Sequence, residues 1–144
     1  MKIGIVILCT NAYLPLGIRL AKRFNHFYKG ENKVKFFLFT DTNPSAYLPD
    51  YINYQWIELR NNNWVEGTNA KFTSILSLEN KDIDYLYYLD ADTNIIEDFG
   101  DWFIGDLVGG QHYGDQTYML AEKPYERNPK SMAYIPRDTS LPQM

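Results

Sequence analysis

The feature that most constrains the fold is a short, unbroken run of apolar and β-branched residues near the start of the chain, at positions 3–9. Such a run is typical of a strand covered on both faces, as the strands of parallel sheets are. It is too short to cross a membrane, and no small-residue cleavage site follows it. We therefore interpret it as a buried first strand. Since no other stretch suggests a membrane span, we expect a cytoplasmic protein.

Strand-like and helix-like patterns alternate after this run. Further apolar segments predict strands over residues 34–40, 51–59 and 85–89. Apolar residues at helical spacing predict one helix that begins near Pro15 and ends at Gly30, and a second over residues 70–78. This alternation predicts an α/β fold with a Rossmann-like, open and mostly parallel sheet.

The fold class also predicts where chemistry should occur. A chain of 144 residues allows one domain, and ligands of open α/β sheets bind at the carboxyl ends of the strands. In this chain the predicted strands end at Cys9, Thr40 and Leu89, so the residues directly after these three are the candidates for chemistry. The net charge of −4 offers no basic field for nucleic acid, and the single cysteine excludes an internal disulfide and a cysteine-based zinc site.

An acidic pair, Asp90 and Asp92, stands at the predicted exit of the last strand. Residues i and i+2 of a strand point to the same side, so both carboxylates are predicted to face one ligand. Their repulsion favours a divalent cation between them, and Mn²⁺ or Mg²⁺ would use phosphate oxygens and water as further ligands. The alternative is a pair of solvated acids in a turn, where aspartate is common.

The same pair also resembles the signature of haloacid-dehalogenase-type phosphatases, in which Asp90 would be the nucleophile and Asp92 the general acid/base. That signature normally follows the first strand, whereas this pair follows the last predicted strand. It also needs a lysine and a further acidic motif well downstream, and little of this sequence remains there. Both points count against this hypothesis.

Two other residues have more than one interpretation. Tyr13 follows the first strand and could stack on a planar base or pack against the next helix. His112 could be a site residue, although a lone histidine more often serves as an ordinary hydrogen-bonding residue. No GxGxxG dinucleotide motif is present.

Several motifs in order nevertheless resemble glycosyltransferase family 6, the retaining enzymes that include the blood-group A and B transferases and α-1,3-galactosyltransferase. The resemblance covers essentially the whole chain and includes the family's FTD, DYL…DxD and TYERR…AYIP elements. The corresponding segments here are Phe39-Thr40-Asp41, Asp84-Tyr85-Leu86 with Asp90-Ala91-Asp92, and Pro124-Tyr125-Glu126-Arg127 with Ala133-Tyr134-Ile135-Pro136. The spacing from His112 to Tyr125 also matches the family.

The resemblance implies a role for each matching position. Cys9, Thr10 and Tyr13 fall where the family grips uracil, with Tyr13 as the stacking aromatic ring. Four further positions are implied to contact the rest of the donor, the metal or the acceptor: Asp90, Asp92, Lys71 and His112. Asp90 and Asp92 would hold the metal, with Asp90 also near the donor, and His112 would contact the acceptor. Lys71 replaces the family's usual arginine near the donor, so a point charge replaces a bidentate fork.

The resemblance also implies an A-type glycosyltransferase fold and an activity. We expect metal-dependent transfer of galactose or N-acetylgalactosamine from a UDP-sugar to a galactoside-type acceptor in an α-1,3 linkage. The family's later YYxGG and WHDES segments, with the proposed nucleophile, do not occur in this sequence, so the catalytic nucleophile is unknown. We expect a bacterial or phage type of member that lacks the C-terminal half. The alternative is a catalytically silent UDP-binding module, which could form a homo-oligomer to cover exposed apolar surface.

Overall fold

The computed structural model describes residues 1–60, 64–79 and 81–105. Within these residues the strands are β1 (Lys2–Leu8), β2 (Lys33–Thr40), β3 (Tyr54–Glu58) and β4 (Tyr85–Tyr88), and the helices are α1 (Leu14–Phe27) and α2 (Trp64–Leu76). Short 3₁₀ turns cover Asn11–Tyr13, Pro44–Ala46 and Asp101–Phe103.

The four strands form one parallel sheet in the order β3-β2-β1-β4. The chain builds outward from β1 to β2 and β3, and then returns through α2 to place β4 on the other side of β1. This arrangement confirms the predicted Rossmann-like α/β fold. The order of the strands reverses between β1 and β4, and this is the position where open α/β sheets bind their ligands.

The alternation of side chains along the strands divides the core into two layers. Ile3, Ile5 and Ile7 of β1 pack with Leu20 and Phe24 of α1. On the other layer, Val6 packs with Phe37 and Phe39 of β2 and with Leu78, which follows α2. Both faces of β1 are therefore buried, which explains why its sequence is apolar without interruption.

Three boundaries differ from the sequence predictions by three residues or more. Helix α1 ends at Phe27 and not at Gly30, because Tyr28 is extended and forms a parallel bridge with Phe99. Strand β3 begins at Tyr54 because residues 49–52 form a turn, in which the Ile52 amide donates to the Pro49 carbonyl at 3.0 Å.

The third difference concerns α2, which begins at Trp64, six residues before the predicted start at Ala70. The apolar pattern did not identify the buried face of this helix correctly. Phe72 and Leu76 are 73% and 66% exposed, whereas Ser74 is buried. Leu78, the most buried apolar residue of the predicted segment, lies beyond the end of the helix.

Candidate functional site

The candidate site lies where β1 and β4 end side by side. These strands pair directly, with Val6 opposite Tyr88, so the residues that follow them emerge at the same edge of the sheet. The loop after β1 carries Thr10 and Tyr13, and the segment after β4 carries the two acids. The fold thus brings together the two groups of residues that the sequence predicted to share a ligand.

The loop after β1 has a tightly specified backbone. The Tyr13 amide donates to the Thr10 carbonyl at 3.0 Å, and the Asn11 amide donates to Asp41 Oδ1 at 2.8 Å. Asn11 has a φ of 53°, in the left-handed region that asparagine tolerates better than most residues. Asp41, at the end of β2, therefore anchors this loop, a role that the sequence analysis did not predict. The Tyr13 side chain is 48% exposed, which leaves part of its ring accessible for stacking.

Cys9 contributes to the site differently from its neighbours. Its side chain is fully buried in the layer that contains α1, against Gly17. Burial, with a smaller effect of the Asp41 charge, raises the pKa of the Cys9 thiol to about 12. The thiol is therefore protonated and packed in the core. Only the backbone of Cys9 can reach a nucleotide, and its predicted role in uracil binding is restricted accordingly.

Asp90 is held by two donors from different elements. Lys71 Nζ of α2 donates to Asp90 Oδ1 at 2.8 Å, and the Tyr88 hydroxyl donates to the same oxygen at 3.0 Å. Burial raises the pKa of Asp90, but the two hydrogen bonds and the Lys71 charge outweigh it, so the pKa lies below its ordinary value. The carboxylate is ionised at neutral pH. Its side chain remains 58% exposed, so it is accessible to a ligand.

Tyr88 belongs to this group, although the sequence analysis did not single it out. Its ring centroid lies 5.0 Å from Lys71 Nζ, within the range of a cation–π contact. Burial is the largest cause that raises the pKa of the Tyr88 phenol, followed by its hydrogen bond to Asp90 and by nearby charges that include Asp92. The hydroxyl therefore keeps its proton and remains a donor. No signal in the sequence identified this role, because Asp90 lies beyond the end of β4 and a run of four strand-type residues does not show which side of the strand faces Lys71.

The geometry predicted for the acidic pair was wrong in one respect. Strand β4 ends at Tyr88, and the Thr93 amide donates to the Asp90 carbonyl at 2.9 Å, so both acids lie in a turn. The strand rule therefore does not apply to them. A turn nevertheless keeps them near each other, and the charges of both raise the pKa of Tyr88. Asp92, like Asp90, is exposed.

The chemistry of this turn suits a divalent cation that also binds phosphate. Asp90 and Asp92 supply hard, accessible oxygen atoms. No group of three or more histidine, cysteine, aspartate or glutamate side chains able to hold a metal occurs among the described residues. Two carboxylates completed by phosphate oxygens and water are a common arrangement for Mg²⁺. The residues present therefore fit a metal that is held jointly by protein and ligand.

His112 and the motifs at 124–136 lie outside the described residues, so the predicted contact of His112 with an acceptor stays a prediction. Neither helix of the described part of the chain has the length and hydrophobicity that a membrane span requires.

Comparison with known proteins supports the interpretation of the motifs. The model of glycosyltransferase family 6 matches residues 1–140. A similar protein is globoside alpha-1,3-N-acetylgalactosaminyltransferase 1 of Gallus gallus, 29% identical over 94% of this chain and 42% of the chicken protein. Another is the O-antigen biosynthesis glycosyltransferase WbnI of Escherichia coli, 26% identical over 94% of this chain and 59% of the bacterial protein.

The chain thus spans about half the length of the curated relatives that it matches. The family match, in contrast, extends from the first strand through the motifs at 124–136 and covers nearly all of the sequence. A match of that extent makes the chain a member of glycosyltransferase family 6.

Proposed function

We propose that this chain binds a UDP-sugar and takes part in retaining transfer of galactose or N-acetylgalactosamine to a galactoside-type acceptor, in an α-1,3 linkage. One observation carries the proposal: the loop after β1 and the acidic turn after β4 meet at the point where the strand order reverses. The printed name of the chicken relative describes α-1,3 transfer of N-acetylgalactosamine, which agrees with the proposed linkage and with one of the two sugars.

In this proposal the two strand ends bind different parts of the donor. Tyr13 would stack on the uracil ring, and Thr10 and the backbone of Cys9 would contact its edge. The ammonium of Lys71 would lie near the diphosphate, because it already lies beside Asp90 at the same edge of the sheet. Contact of His112 with the acceptor remains part of the proposal.

Asp90 and Asp92 would hold Mn²⁺ or Mg²⁺. The metal, when bound, supplies Lewis-acid stabilisation of the negative charge on the departing diphosphate. The protein contributes an Asp90 carboxylate that is already ionised, so no proton has to leave it before a cation binds. It also contributes a second exposed carboxylate from the same turn.

The first experiment is a titration with UDP, followed by tryptophan fluorescence or calorimetry, in Mn²⁺ and then in EDTA. We expect binding that depends on Mn²⁺ in the wild-type chain and is lost in Asp92→Asn. Asp98→Asn is the matched control, because Asp98 is an exposed acid of the same segment whose partner is Lys29, at 3.6 Å. Equal UDP affinity of wild type and Asp92→Asn in Mn²⁺ would overturn the metal assignment.

A transfer assay separates two candidate functions. Release of UDP from UDP-galactose or UDP-N-acetylgalactosamine that requires a galactoside supports transfer. UDP binding without turnover supports the second candidate, a UDP-binding module. The family assignment favours either candidate over a phosphatase. Cytoplasmic location and self-association stay predictions.

A further inference from the structure

Tyr88 occupies a position that nothing in the proposed function uses. It is the last residue of β4, and its ring packs beside the core layer formed by Val6, Phe37, Phe39 and Leu78. From this half-buried position its hydroxyl reaches Asp90 Oδ1 at 3.0 Å. The strand fixes the ring, so the hydroxyl is a donor in a defined place.

The turn that carries Asp90 constrains its side chain less than β4 constrains Tyr88. Its carboxylate stands on an exposed turn, where rotation about the side-chain bonds would otherwise be open. Both hydrogen bonds that the described residues donate to this carboxylate fall on Oδ1, one from Tyr88 and one from Lys71. Two donors from two elements on one oxygen restrict the orientation of the group, and Oδ2 is the oxygen that accepts neither of them.

Tyr88 and Lys71 differ in how firmly they hold Asp90. The lysine ends a long flexible side chain that is 35% exposed, and its charge can also attract a phosphate. The tyrosine has two side-chain torsions and a half-buried ring that packs against the core, and it carries no charge that a ligand could attract. Tyr88 is thus the partner that can keep Asp90 oriented when Lys71 moves.

We infer that Tyr88 is a positioning residue for the donor site: its hydroxyl holds Asp90 by Oδ1 and leaves Oδ2 as the oxygen available to a cation. The inference rests on the proposed function, because it takes Asp90 as a metal ligand. Removal of a group that orients a metal ligand by hydrogen bonding to it commonly weakens metal binding by about tenfold or more.

The chain offers a closely matched control in Tyr87. This neighbour lies on the opposite side of β4, where its hydroxyl donates to the Phe103 carbonyl at 3.1 Å and accepts from the Gly105 amide at 3.3 Å. Tyr87→Phe therefore removes a hydroxyl with comparable hydrogen bonds from the adjacent residue, on the side away from Asp90. Tyr88→Phe and Tyr87→Phe are the same chemical change one position apart.

The test measures Mn²⁺ binding in the presence of saturating UDP, from the loss of the free-ion signal in electron paramagnetic resonance beyond the loss that the same UDP concentration causes without protein. We expect Tyr88→Phe to weaken Mn²⁺ binding by about tenfold and Tyr87→Phe to stay within about twofold of wild type. Thermal unfolding of both variants checks the fold. If the Tyr88 hydroxyl only stabilised the fold, Tyr88→Phe would lower the unfolding temperature but would not weaken Mn²⁺ binding more than Tyr87→Phe does.

The remaining outcomes separate this inference from the proposed function. Wild-type Mn²⁺ affinity in Tyr88→Phe, together with loss of binding in Asp90→Asn, overturns the role of Tyr88 and leaves the metal site standing. Equal losses in Tyr88→Phe and Tyr87→Phe also overturn it. Retention of Mn²⁺ by Asp90→Asn overturns the metal site itself, and the inference with it.

Discussion

The contact between α1 and the end of β1 provides the sharpest test of how the fold holds the site. A Cβ added to Gly17 would lie 2.5 Å from Cys9 Cβ and 2.6 Å from Cys9 Sγ. Both distances are far below van der Waals contact. Cys9, the residue after β1, is fully buried, and its amide donates to the Phe39 carbonyl at 2.9 Å, which fixes its position. Gly17→Ala therefore forces α1 and the end of β1 apart, next to the loop that carries Thr10 and Tyr13.

The expected change in the free energy of unfolding for Gly17→Ala is the difference between two opposing contributions. Alanine in a helix interior is favoured over glycine by about 1 kcal/mol. Overpacking a close contact costs about 3 kcal/mol at the upper end of the usual range, which applies here because the neighbouring atoms are rigid. We therefore expect Gly17→Ala to lower the free energy of unfolding by about 2 kcal/mol, or the unfolding temperature by about 8 °C for a chain of this size.

Thermal and urea unfolding measure this effect. The control is Gly100→Ala, because an added Cβ there meets no atom within 4 Å. We expect the control to change the stability by less than about 0.5 kcal/mol. A Gly17→Ala variant as stable as the wild type, or more stable, would show that the helix can move without loss and would refute the reasoning.

Three further predictions concern the site. Lys71→Met should lower the free energy of unfolding by less than about 1 kcal/mol, because the ion pair is exposed. Folding lowers the pKa of Asp90, so this destabilisation should be present above about pH 4 and should disappear at lower pH. Urea unfolding at a series of pH values measures it. Asp41→Ala should weaken UDP binding severalfold by releasing the Asn11 amide, whereas Asp41→Asn, which keeps an acceptor, should retain most of the affinity in the same titration. The Cys9 thiol, buried and with a pKa raised to about 12, should react with a thiol reagent rapidly only in denaturant; fast labelling of the native chain would contradict its burial.

Much of the sheet could be predicted because its central strands are buried on both faces. Residues 3–9 and 36–39 are apolar without interruption, a pattern typical of parallel strands that are covered on both faces. The place of Asp90 and Asp92 could be predicted as well, since polar residues directly after a strand must lie at its end. These parts depend on local sequence and on one general rule of topology.

The details of the site could not be predicted, because contacts between distant residues determine them. The turn that holds the two acids is a local exception: the Thr93 amide donates to the Asp90 carbonyl three residues earlier, which the apolar pattern of the strand does not encode. Helix α1 stops at Phe27 because Tyr28 finds a partner in Phe99, far along the chain. The role of Tyr88 depends on which side of β4 faces Lys71, and four adjacent residues of strand type do not reveal that side.

The pairing of β1 with β4 also has a consequence for folding. The two halves of the site come from opposite ends of the described chain, and another bond across this region, from Arg23 Nε to the Ile95 carbonyl, joins residues 72 positions apart. Closing such a long loop is slow compared with forming local structure. No partly folded species that contains only β1, α1 and β2 can assemble the site. We therefore expect a nucleotide to bind at this site only after β4 has docked beside β1.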